Sequence, residues 1–204
     1  EELDGYAQYL AREAGSLVMG YFRKPHRVEY KSRGLRNPVT EADWASEEYL
    51  TEAIRKRYPE HAVLGEESLE RGLKDSEFLW VLDPLDGTTN FLNGMPIFAV
   101  SVALLHQGKP IVGAIFVPHP GRDDGSIFHA KRGGGAFQDL ERVYVASKGR
   151  PGAGWISVLP GRHSRFLSFA GTMEVDYGEV RALGSICYEA TLVCRGVAHY
   201  SLFT

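Results

Sequence analysis

The stretch Phe78-Leu79-Trp80-Val81-Leu82-Asp83-Pro84-Leu85-Asp86-Gly87-Thr88-Thr89-Asn90-Phe91 decides how the rest of the chain is read. Its opening run, Phe78 to Leu82, is continuously apolar, which points to a strand covered on both faces. The run ends in acid, at Asp83 and Asp86. A carboxylate held just past a rigid strand projects from the sheet edge, where α/β proteins gather their ligands. A second short apolar run, Ala62-Val63-Leu64, ends the same way, in Gly65-Glu66-Glu67. Carboxylates converging from two strand ends without basic partners repel one another unless a hard cation lies among them. Mg²⁺ suits that place, with oxygen ligands, retained waters and a substrate phosphate completing its shell. Gly87 lets the backbone turn sharply, and Thr88 can open a short helix whose free N–H groups suit a phosphate.

Upstream, apolar side chains at 3, 6, 7, 10, 14, 17, 18, 21 and 22 trace the stripe of an amphipathic helix that Pro25 stops. A basic stretch (Arg27, Lys31, Arg33, Arg36) runs to Asn37-Pro38 and reads as a loop. A second helix is expected from Thr40, with Asp43 as its capping-box partner, to Tyr58, before Pro59. Downstream, Ile97–Leu105 and Ile111–Val117 read as adjacent antiparallel strands joined at Gln107-Gly108-Lys109-Pro110. Ser126–Ala130 continues the sheet, and Lys131 to Gly135 is a turn. Trp155–Leu159 is a further strand candidate. Ser185–Arg195 is an expected helix stopped by Gly196, and Val197–Phe203 begins a strand. The chain reads as a single α/β unit over 1–204. An N-terminal α+β half (1–120) would carry the metal site, and an incomplete α/β half (121–204) would meet it near Pro118 to Gly125.

Composition excludes several classes of function. The 204 residues can bury a sizeable core, and 44% apolar with 24% charged residues is ordinary for a soluble domain. A net charge of −3 offers no general attraction to nucleic acid or to an anionic membrane, so neither is an expected partner. No stretch has the apolar length of a membrane span or the pattern of a signal peptide. Cys187 and Cys194 lack the second pair of a zinc site. Spaced by seven, they fall on one helix face as buried thiols, in keeping with a reducing cytoplasm. The seven histidines are scattered, with no His-Glu-x-x-His arrangement. Gly133 to Gly135 lacks the Lys-Ser/Thr of a P-loop, and no Gly-x-Ser-x-Gly elbow occurs.

Asp86-Gly87-Thr88 invites comparison with phosphatases that use an aspartyl nucleophile. In those the nucleophile stands two residues before the second Asp. Here that position is Pro84, which has no nucleophile, and Asp83 is three residues back. The aspartyl route is rejected.

Gly65-Glu66-Glu67-Ser68 together with Trp80 to Phe91 resembles the inositol monophosphatase family, and Asn37-Pro38-Val39-Thr40-Glu41-Ala42-Asp43 resembles its upstream motif. The resemblance covers nearly the whole chain. It implies a layered αβαβα sandwich and a metal-dependent, lithium-sensitive phosphatase, usually a homodimer, using two or three Mg²⁺ ions. Residue by residue, it implies that Glu66, Asp83 and the main-chain carbonyl of Leu85 hold one metal. Asp83 bridges to another, with Asp86 as a further ligand. Thr88, hydrogen-bonded to Asp43, helps Glu66 orient the attacking water, and Gly87 and Thr88 hold the phosphate. Gly184-Ser185 resembles the family's substrate-side segment; Glu66, Leu85 and Asp86 also face the substrate. The implied substrate is myo-inositol monophosphate, with fructose 1,6-bisphosphate, histidinol phosphate or a 3′-phosphonucleotide as alternatives.

The family's later Trp-Asp pair, whose Asp completes the second metal site, does not occur before Thr204. By alignment, a Glu that contacts inositol hydroxyls falls near Phe203. The unfinished strand after Val197 leads to the expectation that the chain continues, and the alternative from another class is a non-catalytic binding protein with an incomplete metal site. Plainer readings stand beside the functional ones. Taken alone, Asp43 is a capping-box acid. Ser185 reads equally as a helix cap or a substrate contact, and Glu67 as a solvated neighbour or a support for a metal ligand.

Overall fold

The computed structural model describes residues 1–25, 27–32, 36–67, 76–146, 156–158 and 179–201. The N-terminal stripe forms helix α1 (Glu2–Tyr21), burying Ala7, Leu10, Ala11, Ala14, Gly15 and Val18. Helix α2 (Glu41–Arg57) begins at the expected cap. The Thr40 hydroxyl accepts from the Ala42 N–H at 3.1 Å, and Asp43 Oδ2 accepts the Thr40 N–H at 2.8 Å and its hydroxyl at 2.6 Å. A cap of this kind stabilises a helix by about 1 kcal/mol.

The segment expected to be a loop is instead a two-stranded ribbon, β1 (Val28–Ser32) against β2 (Arg36–Thr40), with Tyr30 opposite Pro38. In so narrow a ribbon each strand keeps a free edge, where the missing N–H of proline costs no ladder bond.

The main sheet has seven strands in sequence order: β3 (Ala62–Leu64), β4 (Phe78–Asp86), β5 (Ala99–His106), β6 (Lys109–Pro118), β7 (Gly125–Lys131), β8 (Gly135–Gln138) and β9 (Glu141–Val143). β3 and β4 are parallel, and the remaining neighbours are antiparallel. One face is covered by α1, lying across β5, β6 and β7, and by α2 against β4. Between them lies the main core, with Trp80, Phe91, Phe98, Val100, Leu104, Phe116 and Ile127 all at most 2% exposed.

Burial along β4 alternates, with Trp80 and Leu82 inside and Phe78, Leu79 and Val81 half-buried. The strand is therefore not covered on both faces along its length, as its apolar run suggests. On the opposite face a smaller cluster (Ala99, Val117, Phe128) packs against Cys187 and Tyr188 of helix α4 (Ile186–Cys194).

A second sheet pairs β10 (Ile156–Val158) in parallel with β11 (Glu179–Arg181) on one side and β12 (Tyr200–Ser201) on the other. Because β7, β8 and β9 belong to the first sheet, the change of sheet falls after Val143 and not at residue 120, and Pro118 to Gly125 is a hairpin turn within one sheet. Trp155, Leu159 and residues 202–204, the ends of two expected strands, lie outside the described residues, as do His26, Arg33, Ser68 and His163. Both cysteines are free and half-buried, and burial raises both thiol pKa values. Among the described residues no helix is long and apolar enough to cross a membrane.

Candidate active site

At the end of β4 the ladder is irregular. Asp83 pairs with Ser101 and Asp86 with Ala99, so three steps along β4 match two along β5. Pro84 cannot donate to a ladder, and a bulge at that point is its physical consequence. In a regular strand, side chains three apart point to opposite faces. The extra residue resets that alternation, and Asp83 and Asp86 line one cleft. Asp83 also accepts the N–H of Leu85 at 3.2 Å, which bends the chain locally. Gly87 follows at φ 91°, where a Cβ would lie 2.9 Å from both the Ile97 carbonyl and the Ser185 side chain. Glycine is required there, and the short helix α3 (Thr88–Leu92) starts from it.

The cleft has a volume of about 360 Å³ and is lined by Pro38, Glu66, Asp83, Leu85, Asp86, Gly87, Thr88, Thr89 and Gly184. Four parts of the chain thus meet: β2, the turn after β3, the end of β4 with α3, and the segment before α4. Asp43 lies behind this lining. While one carboxylate oxygen closes the helix cap, the other accepts from Thr88 Oγ1 at 3.2 Å. Asp43 thus caps α2 and holds Thr88 at once. Thr88 Oγ1 also stands 3.0 Å from the Leu85 carbonyl, so a single hydroxyl proton has two acceptors. Burial raises the Asp43 pKa, against hydrogen bonds from Thr40 and Thr88 that lower it.

Ser185 is 1% exposed and caps α4, accepting from the Tyr188 N–H at 3.3 Å. Its hydroxyl donates to Asp86 Oδ2 at 2.7 Å, and the Cys187 N–H donates to the same oxygen at 2.6 Å. Of the Gly184-Ser185 pair, Gly184 lines the cleft, and Ser185 fixes the aim of Asp86 from behind.

The charge in the cleft is one-sided. Among the described lining residues there is no Lys, Arg or His. Burial, then the charges of Asp86 and Glu66, push the Asp83 carboxyl up to about 8. A group so destabilised as an anion fits a divalent cation, which would relieve the repulsion that its neighbours impose. Among the described residues, no three His, Cys, Asp or Glu side chains form a ready cage for a metal. Mg²⁺ needs none, since a pair of carboxylates, a backbone carbonyl, waters and phosphate oxygens suffice. Glu66, Asp83, Asp86 and the carbonyl of Leu85 are the groups that fit it.

Four supporting residues escaped the sequence reading. On α2, Ser46 Oγ donates to the Pro84 carbonyl at 3.0 Å, and Glu47 accepts the Glu67 N–H at 2.8 Å. Asn90 Nδ2 donates to the carbonyls of Ile97 (2.8 Å) and Leu183 (2.7 Å). Glu189, 2% exposed, accepts the N–H groups of Leu183 and Gly184, both at 3.0 Å. A signal was available for Ser46 and Glu47, which stand three and four residues beyond Asp43 on the same helix face.

A mixed sheet here ends in a bulged pair of acids beside a hydroxyl–carboxylate pair, an arrangement suited to hold a divalent cation and a phosphate. The chain belongs to the inositol monophosphatase family, whose pattern it matches over residues 1–204. That family comprises metal-dependent phosphoric monoester hydrolases acting on small phosphate compounds. The chain is 32% identical over 196 residues to a fructose-1,6-bisphosphatase/inositol-1-monophosphatase of Aquifex aeolicus, covering 94% of this chain and 72% of that one. It is 40% identical over 138 residues to the chloroplastic phosphatase IMPL1 of Arabidopsis thaliana, covering 67% of this chain and 37% of the plant protein. The chain therefore matches well under half of one curated relative and about seven-tenths of the other. Among solved structures, an IMPase of Thermotoga maritima superposes with a TM-score of 0.82 at 28% identity, over 97% of this chain and 74% of its own. The layered α/β architecture is that of the family's structures.

Proposed function

We propose that the chain hydrolyses the phosphate monoester of a small alcohol, with myo-inositol monophosphate as the first substrate, and that it does so with Mg²⁺. The observation that carries this reading is the cleft in which Glu66, Asp83 and Asp86 meet with no cation among the described lining residues, beside the Thr88–Asp43 hydrogen bond. When bound, Mg²⁺ supplies Lewis acidity at the phosphoryl oxygens, lowers the pKa of water and neutralises the leaving alkoxide. Glu66, Asp83, Asp86 and the carbonyl of Leu85 would hold two or three such ions. Thr88 donates to Asp43, which leaves its hydroxyl oxygen free to accept a hydrogen bond from a water, and Glu66 would help to orient that water. Gly87 and Thr88 hold the phosphate, and Gly184 faces the alcohol. Li⁺ is expected to inhibit, by competing for one of the cation positions.

The name of the Aquifex aeolicus relative favours fructose 1,6-bisphosphate as a second substrate to be tried. The experiment is phosphate release from a panel of monoesters, with and without Mg²⁺ and Li⁺, for the unsubstituted chain and for Asp83→Asn. The variant is expected to keep the fold and to lose Mg²⁺-dependent release almost entirely. Unchanged turnover in Asp83→Asn sinks the assignment.

A further inference from the structure

We infer that Glu47 is a positioning residue: it sets the cleft's affinity for a divalent cation by holding the turn that carries Glu66. The inference rests on the reading of Glu66 as a metal ligand. Glu47 lies on α2, is 4% exposed and does not line the cleft. Its Oε2 accepts the N–H of Glu67 at 2.8 Å. On the other side of Glu66, a Cβ added to Gly65 would lie 2.3 to 2.5 Å from the atoms of the same carboxylate. The backbone before and after Glu66 is therefore packed against one buried acid, which fixes the path of the turn that carries Glu66.

The arrangement extends along the helix. Asp43, Ser46 and Glu47 are all at most 4% exposed, and their spacing puts Ser46 and Glu47 each about 5–6 Å from Asp43 on its side of the helix. Asp43 holds Thr88, Ser46 holds the Pro84 carbonyl beside Asp83, and Glu47 holds the Glu66 turn. A rigid helix thus sets the separation between the pieces of chain that carry the ligands. Burying a carboxylate among other acids is unfavourable unless a hydrogen bond to it does something in return. Here the bond fixes the backbone next to Glu66, and groups that orient metal ligands alter metal affinity by roughly ten- to a hundredfold when removed.

The test is calorimetric titration of the full 204-residue chain with Mg²⁺ alone, which needs no substrate and no turnover. Glu47→Ala is expected to weaken binding roughly ten- to a hundredfold. Glu47→Gln, whose amide oxygen can still accept the Glu67 N–H, is expected to bind close to the unsubstituted value. Gly65→Ala pushes the same carboxylate from the other side and is expected to weaken binding as well. Adding it to Glu47→Ala should cost little more, because both changes break one contact. Thermal midpoints are read in parallel. A lowered midpoint with unchanged Mg²⁺ affinity in Glu47→Ala marks a merely structural role and overturns the inference, as does Glu47→Gln binding no better than Glu47→Ala. If Glu47→Ala does not fold, Gly65→Ala decides, and unaltered affinity there overturns it. An unsubstituted chain that takes up no Mg²⁺ overturns the metal reading of the cleft itself, a result distinct from these.

Discussion

His61 accepts the indole N–H of Trp80 at Nδ1 (3.0 Å), with its ring stacked between Tyr58 at 4.7 Å and Phe78 at 4.6 Å. A nitrogen that accepts carries no proton, and burial holds the imidazole below its usual 6.5. The unfolded chain then takes up the proton first. The stability this contact contributes is whole above about pH 6.5 and is lost as pH falls through the lower folded value. His61→Phe should cost about 1 kcal/mol at pH 8, where Trp80 loses its acceptor, and progressively less towards pH 5. Urea melts across that range check it, and a gap that stays constant with pH defeats the argument. The same scale shows why the site was only partly legible. Asp83, Asp86, Gly87 and Thr88 stand together in sequence, so their joint meaning can be read. Ser46, Glu47 and Asn90 find their partners 38, 20 and 93 residues away. The helical spacing from Asp43 could have put Ser46 and Glu47 on its face, but it does not name the distant backbone groups that they hold.

Helix α1 sits so close to β6 that Gly15 has no room for a side chain: a Cβ would lie 2.2 to 2.5 Å from the ring carbons of Phe116. Helix propensity alone favours alanine over glycine by about 1 kcal/mol. Phe116 is only 2% exposed and has nowhere to turn, and overpacking of this kind costs about 1–3 kcal/mol. Gly15→Ala is therefore expected to lower the urea midpoint without changing the slope. A raised midpoint would falsify the close packing of α1 on β6. Elements with strong periodicity or caps, α1, α2 and α4, were legible to within a residue or two, as were the middles of β3 to β7. The β1–β2 ribbon was missed because Asn37-Pro38 carries every sign of a loop. β8 and β9 were missed because they are short and only partly buried, so neither an apolar run nor a strict alternation marks them. The bulge at Pro84 was equally hidden, although it is what turns a three-residue spacing into a shared direction for two acids.

The two sheets differ in how they are supported. The first has seven strands, a large core and two helices on one face. Among the described residues the second has three short parallel strands and contributes only Val158 and the neighbouring Ala198 to the core. Amide hydrogen exchange should therefore be slowest in β4, β5 and β6 and faster in β10 and β12 by a margin that reports separate opening. Equal protection across both sheets would mean that they open as one unit. The cleft lies where these parts meet. Asp86 at the end of the first sheet is bonded to Ser185 and Cys187, 99 and 101 residues further on, and Asn90 reaches Leu183 across 93. Closing loops of that length has a high entropic cost, and contacts so distant in sequence form late. The acids of β4 can be in place on their own sheet well before the wall that aims Asp86 arrives. Competence to act on a substrate should therefore be acquired as the last event of folding, trailing the appearance of the main core.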